Sequence, residues 1–469
     1  MATGPFSGYN EDRTPLKRIV RFTQRARLAL PLAVLALLPL LAGGRTLASA
    51  APVAAGGSAR LADGDRVLVL VPHPDDEVLG ASGVLREAVR RGLSVRVVFL
   101  TFGDSNEWSF LAYRKRPVVM PGGALAMGAI RRREALAAAA ALGVPAADLT
   151  FLGYPDYGTL DIWRSHWAQS PPDRGRLTRV RAVPYSTAFR PGAPFKGEEI
   201  LADLESILRE FRPTRIFVSH PADHHPDHAA LYLFTRVALW DLQGQVSATL
   251  HPFLVHYPGW PHRTGNELAP PARLLAGFQW QSRELDPEAV AAKRTALAEH
   301  RTQYGYSASR LLSFVCPNEL YGDLTADATA SGSVDLGGLT VKQAGDQVEI
   351  AMDLRRPLAE GGAVSVSAFG YRPDRPFAAM PKLEVRIEPH AWAVRDQGRA
   401  LPRATAWGGV AGRKLVARLP LASLGDPHRL FLQIRTGSHR SALGQTPWWI
   451  VELRPGAAMQ RAAVMPAQR

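Results

Sequence analysis

Short apolar runs alternate with longer stretches of helical period along the first half of the chain. Residues 67–71 (VLVLV) are apolar at every position, the pattern of a strand covered on both faces. Residues 78–92 (VLGASGVLREAVRRG) then take helical spacing and stop at Gly92. The same reading gives a strand at 95–101 (VRVVFLT), a helix at 130–142 closed by Gly143, and a strand from 149 to 152. An amphipathic helix at 197–211, a strand at 215–219 (RIFVS), a helix at 229–242 and another at 290–304 follow. Strands alternating with helices predict an α/β fold with a Rossmann-like, mostly parallel sheet and right-handed crossovers. Such sheets bind ligands beyond the carboxyl ends of their strands.

The α/β pattern ends near residue 323, giving a domain over 66–323. From 331 to 455 the period changes to two, in VEIAMDL, VSVSAFGY, LEVRIEPHAWAV, LVARLPL, LFLQIRT and WWIVEL, with turn residues between. This predicts an antiparallel β-sandwich as a second domain, followed by a tail at 456–469. Trp448 and Trp449 fall on opposite faces of the last strand, so one is expected in the core and one in solvent. Residues 157–196 carry Pro, Arg and aromatics without a period, as a lid or binding loop does.

Composition adds a targeting segment to this plan. Six basic side chains (Arg13, Lys17, Arg18, Arg21, Arg25, Arg27) precede the apolar stretch LALPLAVLALLPLLAGG, and Ala48 and Ala50 stand in small-x-small spacing. That stretch holds Pro31 and Pro39 and is short for a spanning helix, which needs about 20 residues. Residues 1–50 are therefore expected to be a signal peptide cut after Ala50, or an uncleaved membrane anchor. Either places the body outside the cytoplasm: periplasmic, extracellular or on the outer face of the membrane. Residues 51–65 read as a linker. The net charge of +14 suits anionic surroundings, or simply follows from an Arg-rich composition, since no dense basic run follows Arg27. No nucleic-acid partner is expected. Cys316 is the only cysteine, so a metal site must use imidazole and carboxylate.

Two clusters carry chemistry. His73, Asp75, Asp76 and Glu77 fall within five residues directly after the first strand. His73 and Asp76 can reach one ion while Asp75 faces the neighbouring space; the plainer reading is that one aspartate caps the next helix. The second cluster, SHPADHHPDH at 219–228, follows another strand and holds four of thirteen histidines. Two imidazoles and a carboxylate with an open position suit hydrolytic zinc. No P-loop, dinucleotide fingerprint or serine nucleophile elbow accompanies them.

The stretches VLVLVPHPDDEVLGASGVL and SHPADHHPDH resemble the PIG-L/LmbE family of zinc-dependent N-acetylglucosaminyl deacetylases. Weaker similarity lies at LTFGD (100–104), RRREALAAAAALGV (131–144) and FLGYPDYGTL (151–160), so the resemblance covers about 66–323. It implies Zn2+ held by His73, Asp76 and His228, with Asp75 as general base. It implies His225 as partner of the oxyanion or leaving amine, held by Asp227, and Arg131 and Asp156 as substrate contacts. Fe, Co or Ni fit the same ligands. His220 is expected beside the ligands, His224 in the loop, and Asp223 as a group orienting His225 or its neighbours. Trp163, His166, Trp167, Trp260 and Trp280 either stack on a sugar ring or anchor their loops; Asp104 and Glu107 are expected in solvent.

The expected protein is thus an exported N-deacetylase of an N-acetylhexosamine-containing glycan or glycoconjugate. Its partner is a carbohydrate, such as an envelope or secreted polysaccharide, and it meets the membrane only through an uncleaved anchor. An amidohydrolase of a small non-sugar conjugate and a non-catalytic glycan-binding protein are the rivals.

Overall fold

Five strands form the parallel centre of an eight-stranded sheet. In this computed structural model the described residues are 54–55, 59–115, 120–261, 267–275, 277–324, 333–335, 338–354, 356–438 and 442–454. The expected export segment (1–50) and tail (456–469) lie outside them.

The strands are β1 (Ala54–Ala55), β2 (Arg66–Val71), β3 (Ser94–Thr101), β4 (Leu149–Tyr154), β5 (Arg215–Ser219), β6 (Thr249–Phe253), β7 (Phe278–Glu284) and β8 (Asn318–Leu324). They lie in the order β1-β7-β8-β6-β5-β2-β3-β4. β6, β5, β2, β3 and β4 are parallel, whereas β8 runs antiparallel to both β6 and β7. The chain moves outward from β2 to β3 and β4, then returns as β5 on the other side of β2. A crevice opens where strand order reverses, so the loops after β2 and β5 face each other. The first is HPDDE and the second HHPDH.

The helices are α1 (Asp76–Arg90), α2 (Glu107–Arg114), α3 (Pro121–Ala141), α4 (Thr159–Ser165), α5 (Gly197–Phe211), α6 (Pro226–Asp241), α7 (Pro287–Glu299) and α8 (Arg301–Leu312). None is long and apolar enough, among the described residues, to cross a membrane. The helix expected at 290–304 breaks at His300, whose φ and ψ of −77° and 60° are not helical. His300 is buried there, its ring turned to Glu77. α3 starts at Pro121 because proline suits the first helical position, although Gly122 and Gly123 hid the period. Part of the expected linker pairs with β7 as β1.

Beyond β8 stand two antiparallel sheets. One holds β9 (Ser333–Asp335), β10 (Leu339–Ala344), β11 (Gln347–Asp353), β16 (Trp407–Ala411) and β17 (Lys414–Pro420). The other holds β12 (Gly362–Tyr371), β13 (Lys382–Glu388), β14 (Ala391–Asp396), β15 (Arg399–Leu401), β18 (Arg429–Ser438), β19 (Ala442–Gln445) and β20 (Trp449–Glu452). On β13, Leu383, Val385 and Ile387 are buried and alternate with half-buried polar residues, as the period of two requires.

The sandwich shares a core with the α/β part. Trp163 of α4 is fully buried, stacked on Phe377 at 5.0 Å and edge-on to Phe431 at 5.1 Å and Trp448 at 6.2 Å. Trp167 is buried beside it, and Arg164 donates to Gln433 Oε1 at 2.7 Å. Trp163, Trp167, Trp260 and Trp280 are all buried anchors, none open to a sugar. The expectation of one exposed tryptophan at the C-terminal end is also corrected. Trp448 and Trp449 are both buried because Trp449 meets Phe278 of β7 at 5.8 Å, on the face that period alone assigns to solvent.

Candidate active site and metal centre

The HPDDE loop joins β2 to α1 in a turn whose backbone is unusual at Asp75, with φ 125° and ψ −28°. L-residues rarely adopt this conformation, and functional sites are where such strain collects. Asp75 occupies the N-cap position but its side chain caps nothing. Its N–H instead donates to Glu77 Oε2 at 2.9 Å, while Glu77 Oε1 pairs with His300 Nε2 at 2.8 Å. Arg131 Nη2 donates to Pro74 O at 2.6 Å and lies 3.5 Å from Asp75 Oδ1; Nη1 donates to Gly103 O at 2.9 Å. A Cβ on Gly103, which has φ 64°, would stand 2.1 Å from that guanidinium. The loop therefore leaves the Asp75 carboxyl at the cleft with its backbone held from two sides.

Five of the expected residues converge beside it. Asp76 Oδ2 lies 3.1 Å from His73 Nδ1 and 3.1 Å from His228 Nε2, so the three expected ligands meet. His73 Nε2 lies 3.1 Å from Asp227 Oδ2 and 3.2 Å from Asp156 Oδ1. Asp156 accepts from the Ser105 N–H at 2.7 Å and is buried against His73. Asp227 Oδ2 accepts from the Tyr157 N–H at 2.7 Å, and Oδ1 from the Thr159 hydroxyl at 2.6 Å. Asp227 thus serves His73 first, and its approach to His225 Nδ1 is long, at 3.9 Å. His225 Nδ1 instead accepts from the Asp227 N–H at 3.3 Å as the N-cap of α6, which leaves the Nε2 proton to the cleft. Asp223 accepts from the His225, Val255 and His256 N–H groups and lies 3.3 Å from His228 Nδ1, so its carboxylate orients His228.

The remaining histidines divide by burial. Burial pulls His220 down to about 3; its ring stacks on Trp280 and its Nδ1 accepts from the Ala222 N–H, away from the ligand cluster. His224 packs on Tyr257 in the loop. His256, which motif reading missed, sits after β6 with its ring 4.8 Å from that of His228. Its position past a parallel strand was the available signal, but Pro252 and His251 disguised β6. Asp104 is another correction: it is buried rather than solvated, accepts from Tyr185 Oη at 2.6 Å, and is pushed up to about 7 by burial and by Asp156. Glu107 is exposed as expected, 2.7 Å from Arg176.

Charge runs through the cluster in opposite directions. Burial works to lower the His73 imidazole, but hydrogen bonds to Asp156, Asp227 and Asp76 overcome it and hold it well above the usual range. Burial raises Asp76, yet His228 and His73 hold it well below the usual carboxylate range. Burial and the neighbouring imidazoles of His73, His256 and His228 push His225 well down, so it is neutral. Burial pushes Asp75 up to about 7 against the pull of Arg131.

This donor set fits a divalent transition ion. Ligand atoms of His73, His225 and His228 lie within 4.8 Å of one another, as do those of Asp76, His228 and His256. Both ring nitrogens of His228 and Asp156 Oδ1 are buried with only charged neighbours at 3.1–3.3 Å, none in good hydrogen-bond geometry. Buried polar atoms seldom go unpaired unless an ion or water completes them. A cation also offsets the carboxylates of Asp75, Asp76, Asp156 and Asp227 gathered around this cleft.

Residues 68–239 match the PIG-L family model, described as GlcNAc-PI de-N-acetylase. This segment is a PIG-L domain. The PIG-L segment brings together both motifs and most of the cluster; His256 and His300 lie past its end. The chain is 34% identical over 184 residues to a 1D-myo-inositol 2-acetamido-2-deoxy-alpha-D-glucopyranoside deacetylase of Mycobacterium sp. (strain KMS), covering 39% of this chain and 52% of the relative. It therefore spans about half the length of the first curated relatives it matches. The protein of that name from Mycolicibacterium paratuberculosis is 28% identical over 272 residues, covering 52% of this chain and 81% of the relative. Two solved structures are similar at low identity. The zinc-inhibited form of teicoplanin deacetylase is 19% identical with TM-score 0.38, over 56% of this chain and 99% of its own. The N,N'-diacetylchitobiose deacetylase from Pyrococcus horikoshii is 20% identical with TM-score 0.34, over 53% and 76%.

Proposed function

We propose that this chain is a zinc-dependent N-deacetylase that removes acetyl groups from an N-acetylhexosamine-containing glycan or glycoconjugate outside the cytoplasm. The observation that carries the reading is Asp75, held in a strained turn with its carboxyl at the cleft beside the His73–Asp76–His228 cluster. The acetamido sugar in the names of the family and of the curated relatives supports the substrate class. The basic and apolar segment at 1–50 supports export.

His73, Asp76 and His228 would hold the ion. When bound there, a divalent ion supplies Lewis acidity at the acetamide carbonyl and at the attacking water. Asp75 takes one proton from that water as its oxygen bonds to the carbonyl carbon. His225, neutral with its Nε2 proton at the cleft, donates a hydrogen bond to the carbonyl oxygen as charge develops there. The C–N bond then breaks, the amine leaves with the proton carried by Asp75, and the acetic acid formed gives up its remaining proton to become acetate. Arg131 keeps Asp75 in place throughout.

The test is acetate release by the zinc-loaded full chain from N-acetylglucosaminides and chito-oligosaccharides, with Asp75→Asn beside the wild type. Release is expected to fall about 10²–10⁴-fold in the variant, with metal content unchanged by elemental analysis. No acetate from any acetamido sugar, or equal rates in the two proteins, would falsify the reading. A reporter fused after the chain and found active only in the cytoplasm removes the export part.

A further inference from the structure

Eight large apolar or aromatic side chains are exposed among the described residues, and three of them share one opening. Trp108, Tyr157 and Tyr306 line the cleft that holds His73, Asp75 and Arg131. Single exposed apolar residues are ordinary, but a group around one opening marks a binding surface. Exposure also gives depth. His73 is 6% exposed, Tyr157 and Tyr306 are 40% and 39%, and Trp108 is 68%, so the reacting centre is the floor and Trp108 the rim.

The rim is fixed in place. Asn106 caps α2 by accepting from the Ser109 N–H, and its amide donates to Tyr306 Oη at 2.6 Å and Gln303 Oε1 at 3.0 Å. The Tyr306 hydroxyl donates to Gln303 Oε1 at 2.9 Å, and Gln303 Nε2 donates to Ser109 Oγ at 2.7 Å. These bonds tie α2 to α8 and so fix the helix that carries Trp108 relative to Tyr306.

The chemistry of the lining selects the occupant. The cleft, about 270 Å³, is lined by imidazole, carboxylate, amide and guanidinium groups interleaved with Leu79, Val255, Leu311 and Phe314, with flat rings at its mouth. A hydrocarbon chain would satisfy the apolar part of this lining but leave its carboxylate, amide and guanidinium groups desolvated and unpaired. A pyranose offers C–H faces to rings and hydroxyls to polar walls. An acetamido sugar with its amide at the floor fills the interior, so a ring at the rim meets whatever is joined to that sugar.

Resting on the proposed deacetylase reading, the geometry points to Trp108, with Tyr306, as the stacking platform for the sugar unit next to the one that loses its acetyl group. The substrate class is then an oligosaccharide or polysaccharide of N-acetylhexosamine rather than a single acetylated sugar on a small conjugate.

The experiment uses the zinc-loaded full chain as wild type, Trp108→Ala and Trp108→Phe. Calorimetric affinity and acetate release are measured for N-acetylglucosamine methyl glycoside, chitobiose, chitotetraose and octyl N-acetylglucosaminide. The wild type is expected to bind chitotetraose at least tenfold more tightly than the methyl glycoside. That ratio should collapse toward one in Trp108→Ala and return in Trp108→Phe, with melting curves of the three proteins coinciding. A ratio unchanged in Trp108→Ala overturns the inference. So does octyl glycoside binding that is tighter than chitotetraose and lost in Trp108→Ala, which would assign the rim to an apolar aglycone, and so does absence of chitotetraose binding. Length-dependent binding through Trp108 without acetate release supports the platform and sinks the deacetylase reading instead.

Discussion

Asp75 is held at φ 125°, a conformation that costs a residue with a Cβ on the order of 1–3 kcal/mol. Glu77 helps hold it there, accepting the Asp75 N–H on one oxygen and pairing with His300 on the other. A glutamine at 77 keeps one acceptor and turns an NH2 group toward a donor. Glu77→Gln is therefore expected to lower kcat about 10–100-fold, the range found when a supporting partner is lost, with zinc content retained. Rates that match the wild type across the pH range would show that Asp75 needs no such support. Gly103→Ala tests the same loop from its other side. The added methyl meets Arg131 at 2.1 Å in a residue already at φ 64°, so acetate release and the thermal midpoint should both fall; a variant equal to the wild type in both sinks the idea. His73, Asp75, Asp76 and His228 were legible because each stands in a dense local motif after an apolar strand. Glu77 was legible as a letter but not as a support, since its partner His300 lies 223 residues away. His256 was hidden because one histidine after an unrecognised strand has no pattern around it.

At the scale of elements, β13 carries an instructive buried charge. The Lys382 ammonium donates to Phe377 O at 2.6 Å and Met380 O at 2.7 Å and lies 3.9 Å from the centre of the Phe377 ring. Burial pulls it from 10.5 down to about 7, against the opposing charges of Asp396 and Glu198. Between those two pH values the unfolded chain binds the extra proton, so this lysine makes stability rise with pH. One pH unit corresponds to about 1.4 kcal/mol, so the whole window is worth on the order of a few kcal/mol. Lys382→Met should flatten that rise, read as urea midpoints at pH 7, 8.5 and 10; parallel curves for the two proteins would remove the account. Alternation in β13 made such elements readable, and continuous apolar runs did the same for β2, β3 and β5. The break between α7 and α8 was not readable, because it is made by His300 turning inward to Glu77 rather than by a proline or glycine.

For the whole molecule, the seam between the α/β sheet and the sandwich sets the stability. Trp163 is buried between Phe377, Phe431 and Trp448, all three from the far side of that seam. Trp163→Ala should cost about 3–5 kcal/mol, as deletion of a large buried ring does, seen as a lower denaturant midpoint with a single transition. Two separate transitions in the wild type would mean the halves melt independently, contrary to the shared core. Sequence pattern showed an antiparallel β-rich part after the α/β part but could not reveal this joint, since an aromatic that is buried by another layer has the same spacing as one facing water. The joint also bears on descent. A module fastened through Trp448 and Phe431 cannot be lent to an unrelated catalytic domain, because a new neighbour would leave those rings in water. Gene fusion or recombination near residue 325 would yield two sticky fragments in place of two working parts. The halves must therefore be inherited together, and changes along their joint are expected to arise in compensating pairs.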